Sequence, residues 1–226
     1  MIGKILNHYR VNGVALTVKW GGRRIAERLV FLRKSYVVAR NLDREPTYIK
    51  AKIDVEFKIA GPGDFETLKE HRLPWKYYSS VFEDRINRGV TGIVGFMGSQ
   101  AVGYIWLTSC REKDRNLGFT ITPADDEIYG LDLYVLPEYR KDLVGYELIS
   151  LWLKQACEAG KKRAIGVVAE WNKPMLMTTR LVFGFRIIKT MYSLEFFKKR
   201  GFLIHTSATE GVVCGNREFP GQTKGE

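Results

Sequence analysis

The stretch Leu-Asp-Leu-Tyr-Val-Leu-Pro-Glu-Tyr-Arg-Lys-Asp-Leu-Val-Gly-Tyr-Glu-Leu-Ile, residues 131–149, starts as a strand, breaks at a proline and resumes as an amphipathic helix. Pro137 has no amide to give to a sheet ladder, so the strand stops there. Tyr139, Arg140 and Lys141 lead into the helix. A helix start carries unpaired backbone donors and partial positive charge, and Arg140 and Lys141 add two full charges. Such a corner suits a pyrophosphate. It suits plain solvent as well, because many strand-to-helix turns carry a proline and basic residues.

Upstream of this stretch, Gly92-Ile-Val-Gly-Phe-Met and Ala101-Val-Gly-Tyr-Ile-Trp-Leu flank Gly98-Ser-Gln, which predicts an antiparallel hairpin. Earlier still, Ile53, Val55, Phe57 and Ile59 alternate with Asp54, Glu56 and Lys58, the pattern of a half-buried strand. Pro62 and Asp64 open a short helix, and the capping box Ser80-Val-Phe-Glu predicts a second one ended by Gly89. Residues 110–126 are polar and read as a long loop before the apolar strand 128–135. Downstream, the helix 143–159 turns Val144, Leu148, Leu151, Trp152 and Cys157 toward a sheet, with Gly160 at its end. A buried strand at 164–169, a helix from Pro174 and a strand at 185–197 complete the order β, α, α, β, β, β, α, β, α, β. A mixed sheet covered by helices follows from it.

The chain has 226 residues, 45% of them hydrophobic, enough for one main core with extensions. No apolar run reaches the roughly 18 residues of a membrane span, and the N-terminal residues lack the apolar segment of a secretory signal, so a cytoplasmic protein is expected. Cys110, Cys157 and Cys214 are too scattered for a disulfide framework or a thiolate metal site. His8, His71 and His205 show no metal or triad spacing, and no metal is expected.

The net charge of +11 is uneven, because residues 1–50 hold 11 Lys/Arg against 3 Asp/Glu, a net of +8. These residues read as a basic N-terminal extension, followed by a main domain at 51–200 and a partly flexible C-terminal extension at 201–226. Within the extension, Ile25, Leu29, Leu32 and Tyr36 fall at helical spacing, with Arg23, Arg24, Arg28, Arg33 and Lys34 largely elsewhere on the wheel. The expectation is a basic amphipathic helix. It either packs on the neighbouring domain or meets nucleic acid or anionic membrane.

The order of elements, the position of the break and the later segment 172–185 together resemble the GNAT acyltransferases, over about residues 53–197. The resemblance implies an α/β (α+β) fold with a mixed, mostly antiparallel sheet, splayed between its fourth and fifth strands and bearing helices on both faces. It also implies transfer of an acyl group from acetyl-CoA to an amine. The family's cofactor signature is Arg or Gln, two residues, Gly, one residue, then Gly or Ala. Here it reads Arg140-Lys141-Asp142-Leu143-Val144-Gly145, in which Arg140 and Gly145 match and Leu143 departs.

By this resemblance the amides of residues 141–145 hold the pyrophosphate, and the strand edge at Leu133, Tyr134 and Val135 holds the pantetheine arm. Asn172, after the fifth strand, contacts the coenzyme or simply caps the next helix. Leu181-Val182-Phe183-Gly184-Phe185 is similar to the family's Leu-Gly-Phe ending of that helix. The family's usual base, a glutamate, aligns with Tyr129. Asp132, inside the apolar strand, is the candidate base or else a structural aspartate. The family's tyrosine acid is missing from the helix after Asn172, and Tyr192 on the last strand is the substitute candidate. Trp75, Tyr77 and Tyr78 are candidates to line the pocket for a small-molecule or protein amine, and a homodimer is compatible with the sequence. A different class of function also fits: a non-catalytic scaffold of this fold whose basic arm binds nucleic acid or anionic membrane.

Overall fold

The structure is a computed structural model that describes residues 30–61, 64, 79–114, 120–196 and 199–203. In chain order its elements are β1 (Val30–Asn41), β2 (Glu56–Ile59), α1 (Ser79–Asn87), β3 (Thr91–Met97), β4 (Gln100–Thr108), β5 (Glu112–Lys113), β6 (Thr120–Ile121) and β7 (Glu127–Val135). A 3-10 turn (Pro137–Asp142), α2 (Val144–Glu158), β8 (Arg163–Ala169), α3 (Lys173–Met177), a π-helical turn (Thr178–Val182), β9 (Arg186–Phe196) and β10 (Lys199–Leu203) follow. Among the described residues no helix is long and apolar enough to cross a membrane.

Eight strands form one sheet in the order β10-β9-β1-β8-β7-β4-β3-β2, and β5 pairs with β6 apart from it. Every neighbouring pair in the large sheet is antiparallel except β7 and β8. The β3–β4 hairpin turns at Gly98, whose φ of 57° is one that a side chain rarely adopts. Two apolar cores lie on opposite faces of the sheet. Val81 and Phe82 of α1 meet Val94, Tyr104, Trp106, Tyr129 and Leu131 on one face. On the other, α2 inserts Val144, Leu148, Ile149 and Trp152 against Val102, Ile105, Ile128 and Val168. Helices therefore cover both faces of a mixed, mostly antiparallel sheet, as expected.

The N-terminal part departs from expectation. Residues 30–36 are not helical: they begin β1, which lies between β8 and β9 and pairs with both. Positions four apart share a face in a strand as well as in a helix, so the spacing of Leu32 and Tyr36 fits either. What distinguishes them is the run Tyr36-Val-Val-Ala, with Val37 and Val38 both buried, as in a strand covered on both faces. Residues 30–41 are thus integral to the sheet and not part of a separate extension ending at residue 50. Their place is dictated by topology, because β8 and β9 both run antiparallel to β1 and so run parallel to each other. The crossover through α3 leaves one strand's width between them, and β1 fills it. At the other end β10 extends the sheet beyond residue 200, pairing Leu203 with Tyr192. Arg23, Arg24, Arg28, the helix opened by Pro62, and Trp75, Tyr77 and Tyr78 lie outside the described residues.

Candidate functional site

Ladder pairing between β7 and β8 runs only from Glu127 with Arg163 to Gly130 with Gly166. Beyond that point the ladder between β7 and β8 is not continued, so the sheet opens between these two strands. Two features cause the opening. Trp152 of α2 lies over the last pair: a Cβ added to Gly130 would come within 2.6 Å of its indole, and one on Gly166 within 3.5 Å. On the other edge of β7 the register with β4 shifts between Tyr104 and Trp106, so Tyr134 faces Tyr104 while Leu131 faces Trp106. One extra residue is thereby accommodated on β7, the signature of a β-bulge.

Asp132 sits at the bulge with φ 48°. The bulge reverses the alternation of side chains: Tyr129 and Leu131 point to the α1 face, Leu133 and Val135 to the α2 face, and Tyr134 back to the α1 face. Asp132 is held there by Arg85 of α1, whose Nη1 lies 2.7 Å from Oδ2. The same guanidinium donates through Nε to Glu112 Oε1 at 3.0 Å and lies 5.4 Å from the centre of the Trp106 ring. Only 1% of the Arg85 side chain is exposed. Burial disfavours its charge, but Asp132 and Glu112 outweigh burial and raise its pKa. Arg88 completes the group with a 2.8 Å contact to Glu112.

Tyr129 is buried and donates to Asp114 Oδ2 at 3.4 Å. Burial, followed by the charges of Asp114 and Asp132, pushes its phenol well above the ordinary range. Asp132 is therefore the carboxylate placed beside the opening, and an ion pair fixes it there.

At the C-terminal end of β7 the chain turns through the 3-10 segment into α2. Leu143 joins the two in the left-handed conformation, φ 62° and ψ 16°. Its carbonyl accepts from the amides of Tyr146 and Glu147. The amides just before them, Val144 and Gly145, are those a helix start leaves without an internal carbonyl. Arg140 Nε donates to the Val135 carbonyl at 3.1 Å, and its guanidinium lies 5.9 Å from the Tyr134 ring centre. The basic pair thus borders both the opened strand and the helix start. Lys141 is exposed and Asp142 half-buried, with the Asp142 carbonyl accepting from the Lys52 amide.

The segment before β2 straps across α2. Tyr48 donates its hydroxyl to Glu147 Oε1 at 2.5 Å, the Ala51 amide reaches Glu147 Oε2 at 2.7 Å, and the Ile49 amide reaches Ser150 Oγ at 3.0 Å. Sequence reasoning missed Glu147 and Arg85, although helical spacing signals both. Glu147 falls three residues after Val144 and Arg85 four after Val81, each on the apolar stripe.

On the far side of the opening, Asn172 caps α3, its Oδ1 accepting from the Met175 amide at 3.3 Å. Glu170, just past β8, takes Lys34 at 3.2 Å and the Tyr36 hydroxyl at 3.2 Å. Tyr192 pairs with Lys34 of β1, so two strands, β1 and β8, separate its strand from β7. The topology does not bring it to the Asp132 edge. A different phenol reaches the helix after Asn172: the Tyr146 hydroxyl of α2 lies 3.2 Å from Thr178 Oγ1.

In sequence, neither a protein-family model nor a curated protein matches the chain. In structure, the chain is similar to a GCN5-related N-acetyltransferase from Sphaerobacter thermophilus, with TM-score 0.53 and 15% identity over 84% of this chain and 59% of that one. It is similar also to a Novosphingobium aromaticivorans protein assigned as an acetyltransferase of the GNAT family, with TM-score 0.51 and 13% identity over 72% of this chain and 65% of that one. The chain therefore spans about three fifths of the length of these relatives. A third likeness, TM-score 0.53 at 10% identity, is to a fungal β-N-acetylglucosaminidase that contains a glucosamine N-acetyltransferase region; it covers 77% of this chain and 22% of that one. On these likenesses this chain has the fold of the GCN5-related N-acetyltransferases, the GNAT fold.

Proposed function

We propose that the protein is an acyl-CoA-dependent N-acyltransferase that moves an acetyl group from acetyl-CoA to a primary amine of a small molecule or protein. The observation that carries this reading is the missing ladder between β7 and β8 beyond Gly130, with the start of α2 at its end. The β8-facing edge at Leu133, Tyr134 and Val135, where the ladder is missing, can receive the amide groups of a pantetheine arm. The amides of residues 141–145 and the charges of Arg140 and Lys141 suit the pyrophosphate.

Leu143 supports the fit. Its positive φ is a state that glycine adopts readily, so the chain makes the bend into α2 although the residue is leucine. In the reaction the amine nitrogen forms a bond to the thioester carbonyl carbon and the carbon–sulfur bond breaks, releasing CoA as a thiolate that takes a proton from water. Asp132 takes the amine proton directly or through a water, with Arg85 as the residue that positions it. A backbone amide of the opened strand polarises the carbonyl. Holding both reactants together supplies much of the rate.

Titration calorimetry with CoA and acetyl-CoA tests the reading. Arg140→Ala should weaken binding about tenfold or more, the size of a lost charge-assisted hydrogen bond, with the fold retained. Unchanged affinity would remove Arg140 from the site, and absence of binding in the parent protein would refute the function. Once an amine screen read by CoA release supplies an acceptor, Asp132→Asn should lower turnover more than CoA affinity.

A further inference from the structure

Six large apolar side chains are exposed among the described residues, and four of them lie within twelve positions: Trp171 (76%), Met177 (59%), Leu181 (76%) and Val182 (41%). Met177 and Leu181 are four apart and share a helix face, and the wider π turn brings Val182 alongside. Lys173 lies four before Met177 and Arg180 three after it, so the same side carries two exposed basic residues. From Trp171 to Leu194 the sequence contains no aspartate or glutamate, while Arg186 and Lys189 add two further positive charges. Single exposed apolar residues are ordinary on a protein surface; a cluster of them rimmed by one sign of charge marks an interaction site.

We propose that the α3 face docks on the surface of an anionic lipid bilayer. A second copy of the chain is disfavoured, because two such faces would bring like charges together, and Glu170, the acidic residue beside Trp171, is already paired with Lys34. Nucleic acid would use the basic residues but leave three aliphatic side chains with little to gain, since its surface offers phosphates and a few stacking planes. A bilayer takes both parts: the acyl region accepts Trp171, Met177, Leu181 and Val182, and anionic headgroups meet Lys173 and Arg180. The face starts two residues beyond the end of β8, so docking would set the opening between β7 and β8 beside the membrane. This inference does not depend on acyl transfer. It concerns described residues of the domain, apart from the basic arm preceding residue 30.

Co-sedimentation of the full chain with vesicles tests it, using phosphatidylcholine alone and phosphatidylcholine containing phosphatidylglycerol. Two double variants are compared with the parent, Trp171→Ser with Leu181→Ser and Lys173→Ser with Arg180→Ser. All four side chains are exposed, and circular dichroism checks that the fold is retained. The parent should pellet with the anionic vesicles and not with neutral ones. The basic pair's removal should reduce partitioning roughly fivefold per charge, about thirtyfold in all. Removal of the apolar pair should abolish the binding that survives at high salt. No pelleting with anionic vesicles overturns the proposal. So does pelleting that neither double variant reduces, which would assign binding to another part of the chain. Loss in these variants of binding to a DNA or RNA oligonucleotide, or of a dimer in sedimentation velocity, without an effect on vesicles would overturn it in favour of that partner.

Discussion

Leu143 occupies a backbone state that costs an L-residue about 1–2 kcal/mol, and it does so at the joint between the opened strand and the helix start. Leu143→Gly should raise CoA affinity several-fold, because the side chain no longer borders the amides. Thermal stability should change by no more than about 1 kcal/mol, since the relieved strain is offset by the greater freedom of glycine in the unfolded chain. Calorimetry and thermal melts read the two effects, and weakened CoA binding would contradict the placement of the site.

Tyr129 makes a pH prediction. Its folded-state pKa is raised by burial and by the Asp114 and Asp132 charges, so the folded protein keeps a proton that the unfolded chain releases. Stability should therefore be complete below pH about 10 and fall above it, by up to about 1.4 kcal/mol per pH unit from this group. Tyr129→Phe should remove that part of the alkaline slope in urea melts taken across the range; parallel curves for parent and variant would contradict it. Legibility at this scale followed exposure to motif. Arg140 was marked by its place at the break after Pro137, and Gly145 by the resemblance to the family's cofactor signature. Asp132 was singled out as a charge in an apolar run, but neither its bulge nor its ion pair was foreseeable, because the bulge depends on the pairing with β4 and the ion pair on a residue 47 positions away.

Among elements, the opening of the sheet is explained by packing. The Trp152 indole fills the space that side chains at Gly130 and Gly166 would take, and the β7 bulge bends the strand on its other edge. Gly130→Ala sets a methyl within 2.6 Å of a rigid ring and should cost about 1–3 kcal/mol, read as a lower unfolding midpoint in denaturant. An unchanged midpoint would mean that the indole has room to move and does not wedge the strands. Most elements were readable from sequence because period and punctuation agreed: the β3–β4 hairpin with Gly98, α2 with Gly160, and β7 with Pro137. Strand β1 was not, because its apolar positions fit two periods and the neighbouring basic residues imitate the polar face of a helix. What fixes it as a strand is the slot between β8 and β9, a property of topology that no local window contains.

In the whole molecule the sheet divides two tasks. The start of α2, bordered by the basic pair, is the proposed site for the donor's phosphates, and the α1 face carries Asp132 ion-paired with Arg85, which Glu112 also holds. The opening between β7 and β8 joins the two faces, so the central claim is that acetyl-CoA binds along it. Hydrogen–deuterium exchange with and without acetyl-CoA tests this most directly. Binding should slow exchange in peptides covering residues 131–136 and 143–147, with little change in β3 or β4. Saturating acetyl-CoA that leaves those peptides unchanged, or protects only segments remote from the β7–β8 opening, would contradict the account.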